Sequence, residues 1–260
     1  MQCRCADAVP VGETWRMSLD TAAYNTATER EGAAVSAVAA SGDLDAPVPS
    51  CPRWSLDRLV GHLGWVYNWV SEHVEARSAT MLNREDVPRP PRGEAVVEWF
   101  GDAHARVLAA LRDIDPAEEV WGFAGVNSAA FWQRRMAHET LIHRWDAENA
   151  VGEPGPLDSD LAADGVDELM EVILPFQVRS AADALPEGTL HLHRTDGDGE
   201  WLCRISEGRL EAERIHARGD VAVRGTGAQL DLVLWRRIAP GDVEVFGDVG
   251  VLAAWTALGR

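Results

Sequence analysis

Arg134-Arg-Met-Ala-His-Glu-Thr-Leu-Ile-His-Arg-Trp-Asp146 is the stretch on which the reading of this chain turns. It lies inside Ala129 to Ala150, a segment free of Gly and Pro that ends at Gly152 and reads as one long helix. His138 and His143 are five residues apart, about 140° around a helix at ~100° per residue, so a straight helix cannot turn both to one ion. The zinc-protease pattern H-E-x-x-H is therefore absent. Glu139 and His143 are four apart, about 40° around, and share one face on adjacent turns. An imidazole and a carboxylate so placed suit zinc, and also iron, nickel or cobalt. The same spacing also occurs on plain solvated faces.

Three helices are expected before this one. Thr21 to about Ala40 is Ala-rich, with Tyr24 and Val35 as apolar marks and Gly42 as a stop. After Pro47, Pro49 and Pro52, Ser55 reads as an N-cap. Behind it Leu56, Leu59, Val60, Leu63, Val66, Tyr67 and Val70 recur at helical spacing to about Ala76. Beyond Pro88, Pro90 and Pro91 a third begins near Gly93 and carries Val96, Val97, Phe100, Val107, Leu108 and Leu111. Four helices joined through Pro-rich turns predict a bundle. A fifth, Asp158 to Leu174, is expected to stop at Pro175.

The second half changes period. Thr189–His193 and Glu200–Ile205 alternate around the turn Asp196-Gly-Asp-Gly199 and predict a hairpin. Leu210–Ile215, Val221–Arg224 and Val243–Phe246 read as short strands, and Gly225–Ile238 and Val249–Leu258 as helices. The expected fold class is α+β in two domains. Residues 1–18 form an irregular segment with Met17 as a second candidate start, 19–175 a helical bundle, and 176–260 a small α/β domain.

Composition narrows the function. The chain has 260 residues, 46% hydrophobic and 25% charged, which is globular. Forty-two acidic residues against 24 basic ones give a net charge of -18, which argues against nucleic acid and anionic membrane surfaces as partners. Every basic residue is Arg, so a Schiff-base or Walker-type lysine is excluded. The Lys-free composition, rich in Ala, Gly, Val and Asp, points to a GC-rich genome. Cys3, Cys5, Cys51 and Cys203 form no C-x-x-C pair and read as reduced thiols. With no secretory signal and no run of ~18 apolar residues, a cytoplasmic monomer or homodimer is expected.

A third ligand should come from another helix, and the strongest candidate is His62, set in the apolar face made by Val60, Leu63 and Val66. A hydrogen-bonded core histidine is the other reading. Three protein ligands would leave a position open, as in catalytic zinc sites. Arg135 and Asp146 read either as partners that orient the ligands or as salt-bridge residues. Trp65 and Trp69 continue the His62 face, as core or as a pocket mouth. Arg237 could offer a guanidinium to an anionic substrate. His138 could hydrogen-bond near the site, and His191, His193 and His216 read as structural. Asp196-Gly-Asp-Gly199 lacks the loop of a calcium site.

Three stretches carry a family resemblance: Cys51-Pro-Arg-Trp-Ser-Leu-Asp-Arg-Leu-Val-Gly-His-Leu-Gly64, the Arg134–Asp146 stretch, and Leu192-His-Arg-Thr-Asp-Gly-Asp-Gly-Glu-Trp201 with Val221-Ala-Val-Arg-Gly225. Together they resemble the mycothiol-dependent maleylpyruvate isomerase family, whose N-terminal half belongs to the DinB-like metal-binding bundles. The resemblance implies a DinB-like four-helix domain followed by a small α/β domain. It implies a divalent metal ion on His62, Glu139 and His143, with zinc first and nickel or iron next. It implies mycothiol as thiol cosubstrate, a small electrophile as partner, and Arg237 in the catalytic position for anion binding. The reaction implied is S-transfer or cis-trans isomerisation. A binding protein with a structural metal and a metal-dependent hydrolase are the competing readings.

Overall fold

The computed structural model describes residues 18–180 and 185–258. The irregular N-terminal segment, Met17, Cys3 and Cys5 lie outside the described residues, apart from Ser18.

Four helices form the bundle: α1 (Thr21–Ser41), α2 (Leu56–Glu75), α3 (Ala95–Asp113) and α4 (Ala129–Val151). Asp20 caps α1 by accepting from the Ala23 amide, and Ser128 caps α4 by accepting from Phe131. Ser55 takes the cap position of α2 in extended backbone, but its side chain makes no capping bond. The apolar stripe of α2 is buried as its spacing predicts, with Leu56, Leu59, Val60, Leu63, Tyr67 and Val70 fully enclosed. Phe100, Val107 and Leu111 of α3 complete that core.

Helix α4 is different, because it is buried nearly all the way round. Its charges are inside and paired. Arg134 donates to Asp164, Arg135 to Glu139 and Glu168, and Arg144 to Glu31 and Glu148. A buried pair adds little net stability, yet losing one partner leaves an uncompensated charge and is strongly destabilising. The helix is thus held in one rotational setting, which fixes where Glu139 and His143 point.

The fifth helical stretch departs from expectation. Helix α5 (Ser159–Glu168) runs through a π turn (Leu169–Ile173) into α6 (Leu174–Ser180), so Pro175 does not end it. The Leu174 amide bonds to the Leu169 carbonyl, five residues back. That wider turn relieves the clash a proline ring would make with the carbonyl four residues before it. Helix α5 also serves two cores: Leu161 and Ala162 pack with α1 and α4, while Ala163 and Val166 pack under the sheet.

The sheet contains β1 (Leu190–Arg194), β2 (Glu200–Ser206), β3 (Arg209–Glu213), β4 (Val221–Gly225) and β5 (Glu244–Gly247), in the order β3-β2-β1-β4-β5. The expected β1–β2 hairpin is present, with His191 opposite Leu202 and His193 opposite Glu200. Strands β1 and β4 run parallel, and the other neighbours are antiparallel. Leu190, Leu192, Trp201, Cys203, Val221 and Val223 point to one face. They pack on α5, the π turn, α7 (Gly227–Leu234) and α8 (Val249–Thr256). Helix α7 ends at Leu234, short of the expected Ile238. Trp235 is its C-cap and Arg236 adopts a left-handed φ of 60°. The Arg236 and Arg237 amides bond back to the Val233 and Leu232 carbonyls, a Schellman closure with Arg where Gly is usual.

Candidate active site

Helix α2 supplies His62, and α4 supplies Glu139 and His143. Their donor atoms lie within 4.8 Å of one another. Nε2 of His62 and Nε2 of His143 each stand 3.4 Å from Oε1 of Glu139. That is longer than an ordinary hydrogen bond. It equals the edge of a tetrahedron whose bonds are ~2.0–2.1 Å, about 3.3–3.4 Å. The donor set and its two His–Glu spacings therefore fit a divalent ion.

The remaining atoms of these side chains are held from outside. Glu139 Oε2 accepts from Arg135 at 2.9 Å, and Arg135 also donates to the buried Glu168. His143 Nδ1 meets Asp146 Oδ2 at 3.0 Å. Asp146, fully buried, accepts from Ser50 Oγ at 2.5 Å and from Arg237 through Nε at 3.0 Å and Nη2 at 2.7 Å. Such partners fix the tautomer and direction of a ligating imidazole. The ring of His62 packs on Trp54, with centroids 4.8 Å apart. Burial alone would lower the pKa of His143 and raise those of Glu139 and Asp146. The hydrogen bonds among them and the neighbouring guanidinium groups reverse each shift. His143 is held up at about 9, Asp146 down at about 2, and Glu139 well below the usual carboxylate range.

Two cavities share Arg135, Glu139 and Trp235 along their walls. One, about 620 Å³, is lined by Ser50, Arg53, Trp54, His143, Arg236 and Arg237. The other, about 680 Å³, is largely aromatic, with Trp65, Trp69, Trp121, Phe123, Trp132 and Phe176. Arg84 lies over Trp65 and Trp69, its Cζ 4.9 and 5.1 Å from the ring centroids. Among the described residues lining the two cavities, Glu139 is the one carboxylate, and His62 and His143 are the imidazoles.

The structure thus brings His62, Glu139, His143 and Arg237 to one place. Arg237 arrives bound to Asp146 on two atoms and to the Trp235 carbonyl on a third, leaving two N–H bonds uncommitted. Arg135 and Asp146 are buried, 5% and 0% exposed; they touch Glu139 and His143 and also form salt bridges between elements, Arg135 with Glu168 and Asp146 with Arg237. Trp65 and Trp69 line the aromatic cavity, and Trp69 also belongs to the bundle core. His138 turns away to Asp164 at 2.7 Å, as its angle on the helix requires. The sequence reading did not single out Trp54, Ser50, Glu168 or the Trp121–Phe123 segment. Trp54 carried one local signal, its place next to the α2 cap; the others come from loops and a distant helix with no periodicity to mark them.

Residues 25–148 match the profile of the mycothiol maleylpyruvate isomerase N-terminal domain, and residues 160–254 that of the MDMPI C-terminal domain. The crystal structure of a mycothiol-dependent maleylpyruvate isomerase superposes with a TM-score of 0.58 at 13% identity, covering 87% of this chain and 93% of that one. A histidine-to-alanine mutant of such an isomerase gives 0.62 at 12% identity over the same shares. These two likenesses are of fold. Among curated proteins no significant sequence match is found. With both profiles met in order along most of its length, the chain belongs to the mycothiol maleylpyruvate isomerase family of enzymes.

Proposed function

We propose that the protein is a metal-dependent enzyme that uses a low-molecular-weight thiol, mycothiol, for S-transfer to a small electrophile or for its cis-trans isomerisation. One observation carries this reading. Two cavities meet at a His-Glu-His cluster whose two His–Glu spacings match a tetrahedral edge, and among the described residues no further carboxylate or imidazole lines either of them. A divalent ion on His62, Glu139 and His143, zinc by its donor set, would leave a coordination position open and lower the pKa of a thiol there. Hydrolysis would need a base that is not itself a ligand, and the cavity walls offer none.

The chain's own residues divide the remaining work. Arg135 and Asp146 hold the ligands in direction, and Arg237 holds Asp146. Arg53 and Arg236 make no ion pair among the described residues and are placed to receive an anionic group. The aromatic cavity takes the apolar body of the electrophile and keeps water from it. In the isomerisation, the thiolate sulfur adds to a conjugated carbon and the double bond becomes single. The charge passes onto the conjugated carbonyl, rotation follows, and expulsion of the sulfur restores the alkene and the thiolate. In transfer the sulfur stays, and the leaving group departs with its electron pair. A reducing, cytoplasmic setting is part of this reading, with Cys51 and Cys203 as free thiols. Among the described residues no helix is long and apolar enough to cross a membrane.

The test is elemental analysis of wild type and His62→Ala, followed by calorimetric titration of mycothiol. The expected result is one metal lost in the variant, with thiol bound only by the loaded form. Metal without thiol binding would favour the hydrolase, and no metal after reconstitution would leave a binding protein.

A further inference from the structure

Three of the chain's eight histidines converge on one carboxylate far along the sequence from the bundle site. His191 Nε2 meets Glu200 Oε2 at 2.7 Å, while His193 Nδ1 and His216 Nδ1 meet Glu200 Oε1 at 2.5 and 2.9 Å. His191 and His193 are two apart on β1 and so share a face, and Glu200 pairs with His193 from β2. This is the face opposite Leu190, Leu192 and Trp201; on it His191 is buried and Glu200 and His193 are half-buried. His216 comes from the connection between β3 and β4 and is three-quarters exposed. The ligand atoms of His191, Glu200 and His216 lie within 4.8 Å of one another.

Its partners set the half-buried Glu200 apart from four of the buried carboxylates. Asp164, Glu168, Asp146 and Glu31 are all met by Arg. Among the described residues, Glu200 is met by imidazoles alone. Guanidinium cannot ligate a metal, and neutral imidazole can.

We propose that His191, Glu200 and His216, with His193 beside them, form a second site for a borderline divalent ion such as zinc, which clasps the β3–β4 connection to the β1–β2 hairpin. Imidazole nitrogens with one carboxylate select zinc-like ions over calcium or magnesium, which take oxygen ligands. The His191 and His216 contacts to Glu200 sit at hydrogen-bond spacing, so binding opens them by about 0.5 Å toward the tetrahedral edge of ~3.3–3.4 Å. The exposed His216 side chain, on a connection between strands, is the part free to give. Zinc held here acts on stability, because an unfolded chain presents no such site.

The probe is zinc alone, titrated against a chromophoric chelator. The protein is the full chain carrying His62→Ala and Glu139→Gln, so that the bundle cluster cannot contribute. One zinc equivalent is expected, with a rise in melting temperature. Adding His216→Ala, an exposed position whose loss leaves the core intact, should weaken binding by more than the roughly 10–100-fold typical of losing an outer partner, and abolish the rise. In the wild-type chain, His216→Ala alone should lower the zinc count by one, whether or not the bundle cluster binds metal. Absence of zinc binding in the bundle variant, or binding and melting unmoved by His216→Ala, would overturn the proposal.

Discussion

The bundle and the sheet each gather histidines around one glutamate, yet the two clusters are built in opposite ways. In the bundle, Glu139 stands 3.4 Å from both imidazoles, while Arg135 holds its second oxygen and Asp146 holds His143 Nδ1 from outside. In the sheet, Glu200 closes on its three imidazoles at 2.5–2.9 Å, with no Arg behind it among the described residues. The first cluster is braced open and faces two cavities. The second is closed on itself, with only His216 fully at the surface. Ligand type alone does not separate them. What does is the buried charge packed behind the first, which fixes the direction of Glu139 and His143.

The same exchange at each glutamate is the strongest way to break this comparison. Glu139→Gln should lower kcat/KM of the proposed thiol reaction by about 100-fold or more, since it removes a proposed ligand and not merely a ligand's partner. Glu200→Gln should be read in the melting temperature, which is expected to fall. Equal losses of turnover in the two variants would mean that the bundle cluster has no special claim to the chemistry.

The bracing itself is tested at Asp146. Asp146→Asn removes the carboxylate that fixes His143 Nδ1 and leaves Arg237 without its counter-charge. Metal affinity should fall by roughly 10–100-fold, measured by chelator competition. Arg237→Lys should do part of the same, because an ammonium cannot replace the two-point contact. An unchanged affinity in Asp146→Asn would show that helix packing alone sets the 3.4 Å spacing.

How much of this was legible in the sequence follows from the same contrast. The stripe on α2 and the alternation on β1 and β2 gave those elements clearly, since each buries one face. Helix α4 was found by its length and its freedom from Gly and Pro, not by any stripe, because its charged residues are inside. His62, Glu139 and His143 were reached by spacing and by resemblance, and their closeness required the tertiary fold. The outer partners were only half visible. Arg135 and Asp146 lie one turn from the ligands, whereas Glu168 and Ser50 come from elsewhere and leave no local mark. The end of α5 was misjudged because a π turn accommodates Pro175, and nothing in the composition announces such a turn. The three sheet histidines read as structural because they lack helical partners at ligand spacing, and Glu200 and His216 meet His191 and His193 only once the strands and the β3–β4 connection are in place.

Bracing with buried charge has a measurable cost, and Asp231 shows where it falls. Burial, followed by the charge of Glu168, pushes its carboxyl up to about 8, and Oδ1 has no hydrogen-bond partner. The folded chain therefore holds a proton here that the unfolded chain releases near pH 4. The stability contributed by that proton is complete below pH 4 and is lost as pH rises toward 8. Asp231→Asn should remove this dependence. Its advantage over wild type should grow by about tenfold in the folding equilibrium per pH unit between 4 and 8, then level off, as read by denaturant melts across pH. A parallel pair of pH profiles would place the proton elsewhere.

The smallest expected effect concerns the turn that delivers Arg237 to Asp146. Arg236 closes α7 at φ 60°, a conformation that costs a non-glycine residue about 1 kcal/mol. Arg236→Gly should relieve it and raise the melting temperature by roughly 2–4 °C in a chain of this size. The same exchange removes one of the two unpaired guanidinium groups on the smaller cavity, so KM for an anionic electrophile should rise while kcat holds. A higher melting temperature with unchanged KM would leave Arg53 as the anion contact and reduce Arg236 to its part in the turn. A lower melting temperature would mean that the Arg236 side chain contributes more to the fold than its backbone strain costs, and the strained cap would then be held by that side chain's packing.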